Sequence, residues 1–220
     1  MAGNGQSELL EILGGMRHAS AGAALYKSAP LPLSGATANG RARRQMGIAH
    51  IPEDRQTAGL IMPFMAWENI AFGYHERAAY QAGATLMDNA AIQKDCAEKM
   101  AQFDIRPPDI MLPARNFSGG NQQKIVVARE MAHTPDLLLI GQPTRGVDIG
   151  AIEFIHRQII ALRDQGCAIL LVSVELDEIM GLADRVAVMF DGQIMGERDA
   201  AKTDEAELGL LMAGLTKGAA

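Results

Sequence analysis

Phe117-Ser118-Gly119-Gly120-Asn121-Gln122-Gln123-Lys124 is the stretch that decides how this chain of 220 residues folds. A tight Ser-Gly-Gly turn feeds straight into residues 125–131, an apolar and charged run whose pattern predicts a helix. Backbone N–H groups at such a helix start have no partner within the helix and point outward. The helix dipole adds partial positive charge there, so the junction suits an anion. Ser118 is placed to cap the helix and to donate to a phosphate oxygen. Ser-Gly turns are common, so the weight of the reading falls on what flanks this one.

Upstream, Gly3-Asn4-Gly5-Gln6-Ser7 is a second glycine-rich turn, ahead of a short helix over residues 8–13 that Gly14-Gly15 ends. Residues 19–39 are rich in Ala, Gly, Ser and Pro and predict short edge strands and turns. Residues 47–51 read as a strand, followed by Ile51-Pro52-Glu53-Asp54-Arg55 and a loop over 56–66. From 67 to 105 the pattern is helical, with Asp88 capping a helix that places Ile92, Cys96, Met100 and Phe103 on one face. Downstream, Leu137-Leu138-Leu139-Ile140-Gly141-Gln142-Pro143-Thr144-Arg145-Gly146-Val147-Asp148 opens on a buried strand. A helix striped by Ile152, Ile155, Ile159 and Leu162 follows, then strands over 167–174 and 185–190. Asp191-Gly192 reads as a hairpin turn into 193–197, and residues 205–212 as a last helix before a frayed end. Strand–helix alternation with continuous apolar strands predicts an α/β fold: a parallel sheet covered by helices on both faces.

Composition excludes several classes. A net charge of −6 argues against nucleic acid as a partner. The cluster Arg41, Arg43, Arg44 reads as a solvated helix face. Cys96 and Cys167 sit in apolar patterns, as reduced core thiols do. No apolar run approaches the ~20 residues of a membrane span. The five histidines have no metal-ligand spacing. Glu175, Asp177 and Glu178 read as charges at a helix start, with Glu175 a remote candidate for a catalytic base.

In their order along the chain these pieces resemble the ATP-binding subunit of ABC transporters, in the form of the second ATPase half of sugar and nucleoside importers. Gly3 to Ser7 resembles a P-loop, Glu53 stands at the Q-loop position, and Ser118 to Gln122 match the signature, with Phe117 where Leu is usual. The strand ending at Gly141-Gln142 resembles a Walker B strand, Asp148 matches the D-loop, and Val174 occupies the switch-histidine position. The resemblance implies a RecA-like P-loop core with an inserted helical subdomain. It divides the chain at 1–66, 67–117, 118–202 and 203–220. ATP and Mg²⁺ are the implied cofactors, with Gly3, Asn4, Gly5, Gln6, Ser7, Ser118, Gly119, Gly120, Asn121, Gln122 and Asp148 facing nucleotide and Ser7 the metal. The strand before the P-loop falls outside the sequence, so the chain is expected to be part of a longer protein holding a first ATPase half.

Five positions depart from the family pattern, Glu53 among them, where the Q-loop has glutamine. Gln6 stands where the P-loop has Lys, a loss of roughly 1–2 kcal/mol of charge-assisted binding. Gly141 and Gln142 replace the Asp that holds Mg²⁺ and the Glu that polarises water; losing a general base costs ~10²–10⁴-fold in rate. Val174 removes the switch histidine. The signature carries no such change. In the family two such domains meet head to tail, so the expectation is a degenerate site of its own and an intact signature completing the partner's site. Transmembrane permease subunits, and through them an extracytoplasmic binding protein, are the other implied partners, at the cytoplasmic face of the plasma membrane. Met62, Phe64 and Met65 are divided between lobe core and the permease groove, and Trp67 is assigned to the core. The rivals are a non-hydrolysing regulatory module, an ABC ATPase of repair or translation, and a decayed fragment.

Overall fold

The computed structural model describes residues 3–83 and 86–215. Gly5, in the left-handed conformation at φ 98, starts helix α1 (Gln6–Leu13), and Gly14 ends it. A small antiparallel hairpin follows, β1 (Ala24–Tyr26) with β2 (Ala29–Leu31), and then α2 (Gly40–Gln45), capped by Asn39. Strand β3 (Ile48–Ile51) is the first of the central sheet.

The next segment holds α3 (Ala66–Ala71), a two-residue hairpin of β4 (Gln81–Ala82) and β5 (Leu86–Met87), and α4 (Asn89–Gln102). The continuous helical stretch expected over 67–105 is thus interrupted. Gly73 takes a φ of 81, a conformation that does not continue a helix, and the chain turns into the hairpin before α4. Asp88 does cap α4, accepting the Ala91 N–H at 2.9 Å, and Ile92, Cys96, Met100 and Phe103 are all buried. The loop expected over 56–66 contains one π-helical turn, Arg55–Gly59, fixed by Asp54 accepting the Gln56 and Thr57 N–H groups.

Helix α5 (Gly119–Met131) starts at Ser118 and leads to β6 (Leu137–Gly141). Helix α6 (Ile149–Asp164) carries the predicted stripe inward at Ile155, Ile159 and Leu162 and leads to β7 (Ala168–Val172). The sheet is parallel in the order β3-β6-β7. Side chains alternate across it with period two. Ala49, Ile51, Leu138 and Ile140 join the main core with α3 to α6, while Ile48 and Leu139 face Leu10 of α1 and Leu31. That alternation places helices on both faces, as expected.

Two features differ from the sequence reading. After α7 (Leu176–Leu182), strand β8 (Arg185–Phe190) does not extend the parallel sheet; it pairs only with β9 (Gln193–Asp199) around the predicted Asp191-Gly192 turn. A slot of about 510 Å³ separates β8 from β7, lined by Leu170, Val172, Leu176, Val186 and Val188 among others, and it leaves β7 half-buried at the sheet edge. Helix α8 (Glu205–Met212) closes the far side of the hairpin through Leu208 and Leu211. The expected fray beyond residue 215 lies outside the described residues.

The arginine cluster is the second correction. Only Arg41 is solvated. Arg43 is 1% exposed and donates to the Leu13 and Pro32 carbonyls, and Arg44 pairs with buried Glu130 at 3.0 Å. Charge alone did not identify this face as buried, because the partners come from distant segments.

Candidate functional site

Parallel strands deliver their following loops to one side of a sheet, where ligands of such folds bind. Here β3 leads to Glu53, β6 to Gln142, and β7 to Ser173 and Val174. The turn before α1 meets them at that end. Ser7 Oγ donates to Glu53 Oε1 at 2.8 Å. Gly141 is walled in: a Cβ there would lie 2.5 Å from Glu53 Cγ and 3.0 Å from Leu10 Cδ1. The Glu53 side chain therefore occupies the space that a side chain at 141 would enter. Gln142 is 7% exposed and takes a φ of 47, uncommon for a residue with a Cβ. Its N–H donates to the Val172 carbonyl at 2.8 Å, and its Oε1 accepts the Val174 N–H at 3.3 Å. Ser7, Glu53, Gly141, Gln142 and Val174 thus form one cluster.

The turn itself is tied down. Gly3 and Gly5 both have positive φ. The Asn4 N–H donates to Gln6 Oε1 at 2.9 Å, so Gln6 folds back over the turn it follows. The Asn4 carbonyl accepts the Gly192 N–H at 3.1 Å and its Oδ1 the Asp191 N–H at 3.2 Å, which anchors the turn to the β8–β9 hairpin.

The second cluster surrounds the start of α5. Ser118 is exposed and caps the helix, accepting from Asn121 N–H at 3.4 Å and from Asn121 Nδ2 at 2.9 Å. Asn121 Oδ1 accepts the Arg106 N–H at 2.7 Å. Gln122 departs from the expected phosphate-facing role: it is buried, donating to the Ala114 and Phe117 carbonyls at 3.1 Å each. Asp148 caps α6 through the Ala151 N–H at 2.9 Å, and its Oδ2 lies 2.8 Å from where a Cβ on Gly120 would stand. Residues 145 and 146 are exposed beside it.

Some functional neighbours were missed by the sequence reading. Arg55 Nη1 donates to the Arg145 carbonyl at 2.7 Å and Nη2 to the Gly146 carbonyl at 3.2 Å. Gln56 Nε2 donates to Gln122 Oε1 at 3.2 Å. Only the tertiary fold reveals these contacts. Behind the site, fully buried Glu130 accepts from Arg129 at 2.8 Å, Arg44 at 3.0 Å and the Tyr74 hydroxyl at 2.7 Å. Burial opposes its ionisation, but the two guanidiniums and the hydroxyl prevail and hold the carboxyl down at about 2. Burial lowers His50, beside this network on β3, to about 4. Asp177 and Glu178 lie in the first turn of α7 as expected, and Glu178 is buried there against His156 Nε2 at 2.9 Å. Of the docking candidates, Phe64 and Met65 are 41% and 37% exposed, while Met62 and Trp67 pack partly buried against the core. Among the described residues no group of three or more His, Cys, Asp or Glu is placed to hold a metal ion, and no helix is long and apolar enough to cross a membrane.

A parallel sheet with a glycine-rich turn at its carboxyl end and a serine-capped helix beside it defines a RecA-like α/β cassette. Solved ATP-binding cassettes share it. The dimeric MJ0796 cassette bound to ADP and Pi superposes with a TM-score of 0.75 at 20% identity, over 91% of this chain and 82% of that one. The ADP conformation of MJ1267 gives 0.69 at 18% identity, over 96% and 81%. Residues 1–145 match the model of the ABC transporter family. The chain belongs to the ABC transporter family. It is 43% identical to the guanosine import ATP-binding protein NupO of Bacillus subtilis, over 98% of this chain and 41% of that protein. It is 40% identical to the nucleoside import ATP-binding protein NupA of Lactococcus lactis, over 96% and 41%. The glucose import ATP-binding protein TsgD13 of Haloferax volcanii is 35% identical over 97% and 38%. The chain thus spans about two fifths of the length of these relatives.

Proposed function

We propose that this chain is an ATPase half of an importer for a nucleoside or simple sugar, and that it acts mainly by completing the nucleotide site of a partner half. The observation that carries this reading is the contrast between the two clusters. Around Ser118, Gly119, Gly120 and Asp148 the turn is capped, with Ser118 and Asp148 exposed to solvent and Gly120 buried beneath them. Around Ser7, Gly141, Gln142 and Val174, the carboxylate of the β6 end is missing and Gln142, an amide, is engaged by the Val174 backbone. An amide orients water but does not take its proton.

ATP would lie with its phosphates on the turn 3–7 of one half and the signature of the other. Hard oxygen donors suit Mg²⁺, and Ser7 with Glu53 supplies them here, hydrogen-bonded to each other. The ion would neutralise phosphate charge when bound. Within this chain's own site, Ser7 and Glu53 would hold the metal side, Gln6 brings no charge, and Gln142 itself takes no proton. The similar proteins import guanosine, nucleosides and glucose, which supports the solute class, with the nucleoside relatives the more similar. Exposed Phe64 and Met65 are the proposed contact for a permease subunit at the cytoplasmic face of the membrane.

Transport by the assembled importer tests the reading. Ser118→Arg is expected to abolish uptake, while the double change Gln6→Lys and Gln142→Glu, which adds no side chain at walled-in Gly141, leaves it within about twofold. A silent Ser118→Arg overturns the proposal. A pair that hydrolyses ATP equally well without this chain would favour a purely regulatory module.

A further inference from the structure

We infer that Arg55 is a positioning residue: it fixes the backbone of the 145–148 loop against the Ser118–Gly120 turn, so that both reach a partner's nucleotide as one rigid unit. The inference rests on the composite-site reading above and goes beyond it by naming what holds that surface in shape.

Three observations converge on this side chain. First, its two terminal nitrogens donate to successive carbonyls, those of Arg145 and Gly146, at 2.7 and 3.2 Å. A planar guanidinium suits such a two-point grip, and an ammonium does not reproduce it. Second, the signature turn is packed directly against this grip. A Cβ at Gly119 would stand 2.7 Å from Arg55 Nη2 and 3.1 Å from the Gly146 carbonyl oxygen. Absence of a side chain at 119 is what lets turn, guanidinium and loop meet. Third, the adjoining residues make parallel connections. Glu53 accepts from Ser7, and Gln56 donates to Gln122 of α5. Three of the four residues 53 to 56 therefore touch the start of α1, the loop after β6 and the signature helix, while Asp54 fixes the turn between them. The π-helical turn Arg55–Gly59 holds Arg55 and Gln56 in place, and π turns are frequent at functional sites.

Beyond Arg55 the 145–148 loop is held by the Arg145 N–H on the Gln142 carbonyl at 3.1 Å, the Val147 N–H on the Thr144 carbonyl at 3.4 Å and the Asp148 cap. Residues 145 and 146 are exposed, and Gly146 has a φ of 66. Without Arg55 the loop keeps the Asp148 cap on α6 but loses its tie to the signature. Its amides would then open more often, and the surface offered to the partner would lose its shape without losing its nucleotide contacts.

Hydrogen exchange on this chain and turnover by the assembled importer test the inference together. Arg55→Lys and Arg55→Met are each expected to speed exchange of the hydrogen-bonded Arg145 and Val147 amides by at least about tenfold, the change in opening equilibrium for loss of just one of the two charge-assisted bonds. Exchange in β6 should stay unchanged. In the importer, both variants should lower kcat by roughly tenfold and leave the KM for ATP within about twofold, because the loop acts on the transition state and not on nucleotide binding. Gln56→Ala should not speed exchange at 144–148. Unchanged exchange in Arg55→Met overturns the inference whatever the turnover. Ser118→Arg, run alongside, separates the two claims. If it abolishes turnover while Arg55→Met leaves kcat intact, the positioning role is wrong and the composite site stands. If it is silent, the composite site is wrong, and the exchange data alone decide whether Arg55 grips the loop.

Discussion

Gly119→Ala is a one-carbon change whose outcome the structure constrains closely. By propensity alone it should stabilise, since Ala is favoured over Gly in a helix by roughly 0.5–1 kcal/mol. The new methyl, however, would stand 2.7 Å from Arg55 Nη2 and 3.1 Å from the Gly146 oxygen. The guanidinium tip must withdraw, which forfeits its 3.2 Å bond to Gly146. A hydrogen bond from a charged donor is worth about 1.5–3 kcal/mol, less at a half-exposed site. The net expectation is a destabilisation of about 1 kcal/mol at pH 7 by urea unfolding. The diagnostic is the background. In Arg55→Met the bond is already gone and only the tight approach to the Gly146 oxygen remains, so Gly119→Ala should cost less than in the parent, and the cycle should show a coupling of about 1 kcal/mol. If Gly119→Ala costs the same in both backgrounds, Arg55 is not what the glycine makes room for, and the packing argument fails.

Other outcomes follow from the same structure. Glu130→Ala leaves Arg129 and Arg44 without their shared partner and should cost about 3–5 kcal/mol, visible as a lowered urea midpoint; a loss under 1 kcal/mol would mean the network is not held as described. Acid should destabilise the fold in two stages. Burial lowers His50 and His133 from 6.5 to about 4, so the unfolded chain binds protons first, and stability present above pH 6.5 is lost as pH falls toward 4. Glu130, held at about 2, adds a loss below about pH 4.5. His50→Gln should flatten the first stage in a pH series of unfolding free energies, by roughly 3 kcal/mol at most. The apolar slot between β7 and β8 should bind a hydrophobic dye, and Val186→Lys with Leu170→Lys should suppress that fluorescence.

Much of the fold was legible because its signals are local. Buried strands such as 137–141 show as unbroken apolar runs, and caps at Ser118 and Asp88 stand immediately before their helices. The alternation of Ala49 and Ile51 with Ile48 and His50 follows from strand geometry alone. What the sequence left out depends on distant partners. Arg43 and Arg44 look solvated until carbonyls of residues 13 and 32 and the carboxylate of Glu130 are brought to them. Strand β8 looks like a neighbour of β7, because apolar content carries no information about which edge a strand joins. Gln122 reads as a polar ligand in a motif, yet one turn of helix places it inward. The grip of Arg55 on the loop some 90 residues away has no local trace at all. The departures at Gln6, Gly141, Gln142 and Val174 were legible from the sequence. That Glu53 fills the space beside Gly141 was not.

Nucleotide trapping in the assembled importer bears most directly on the division of labour between the two sites. Vanadate holds ADP in a site that has completed hydrolysis, and the trapped nucleotide can be counted per pair of ATPase halves. One ADP per pair is expected, located in the partner's site, and Ser118→Arg in this chain should remove it. Two ADP per pair, or one that survives Ser118→Arg, would show that this chain's own turn and β6 end carry out hydrolysis, and would contradict the proposed role.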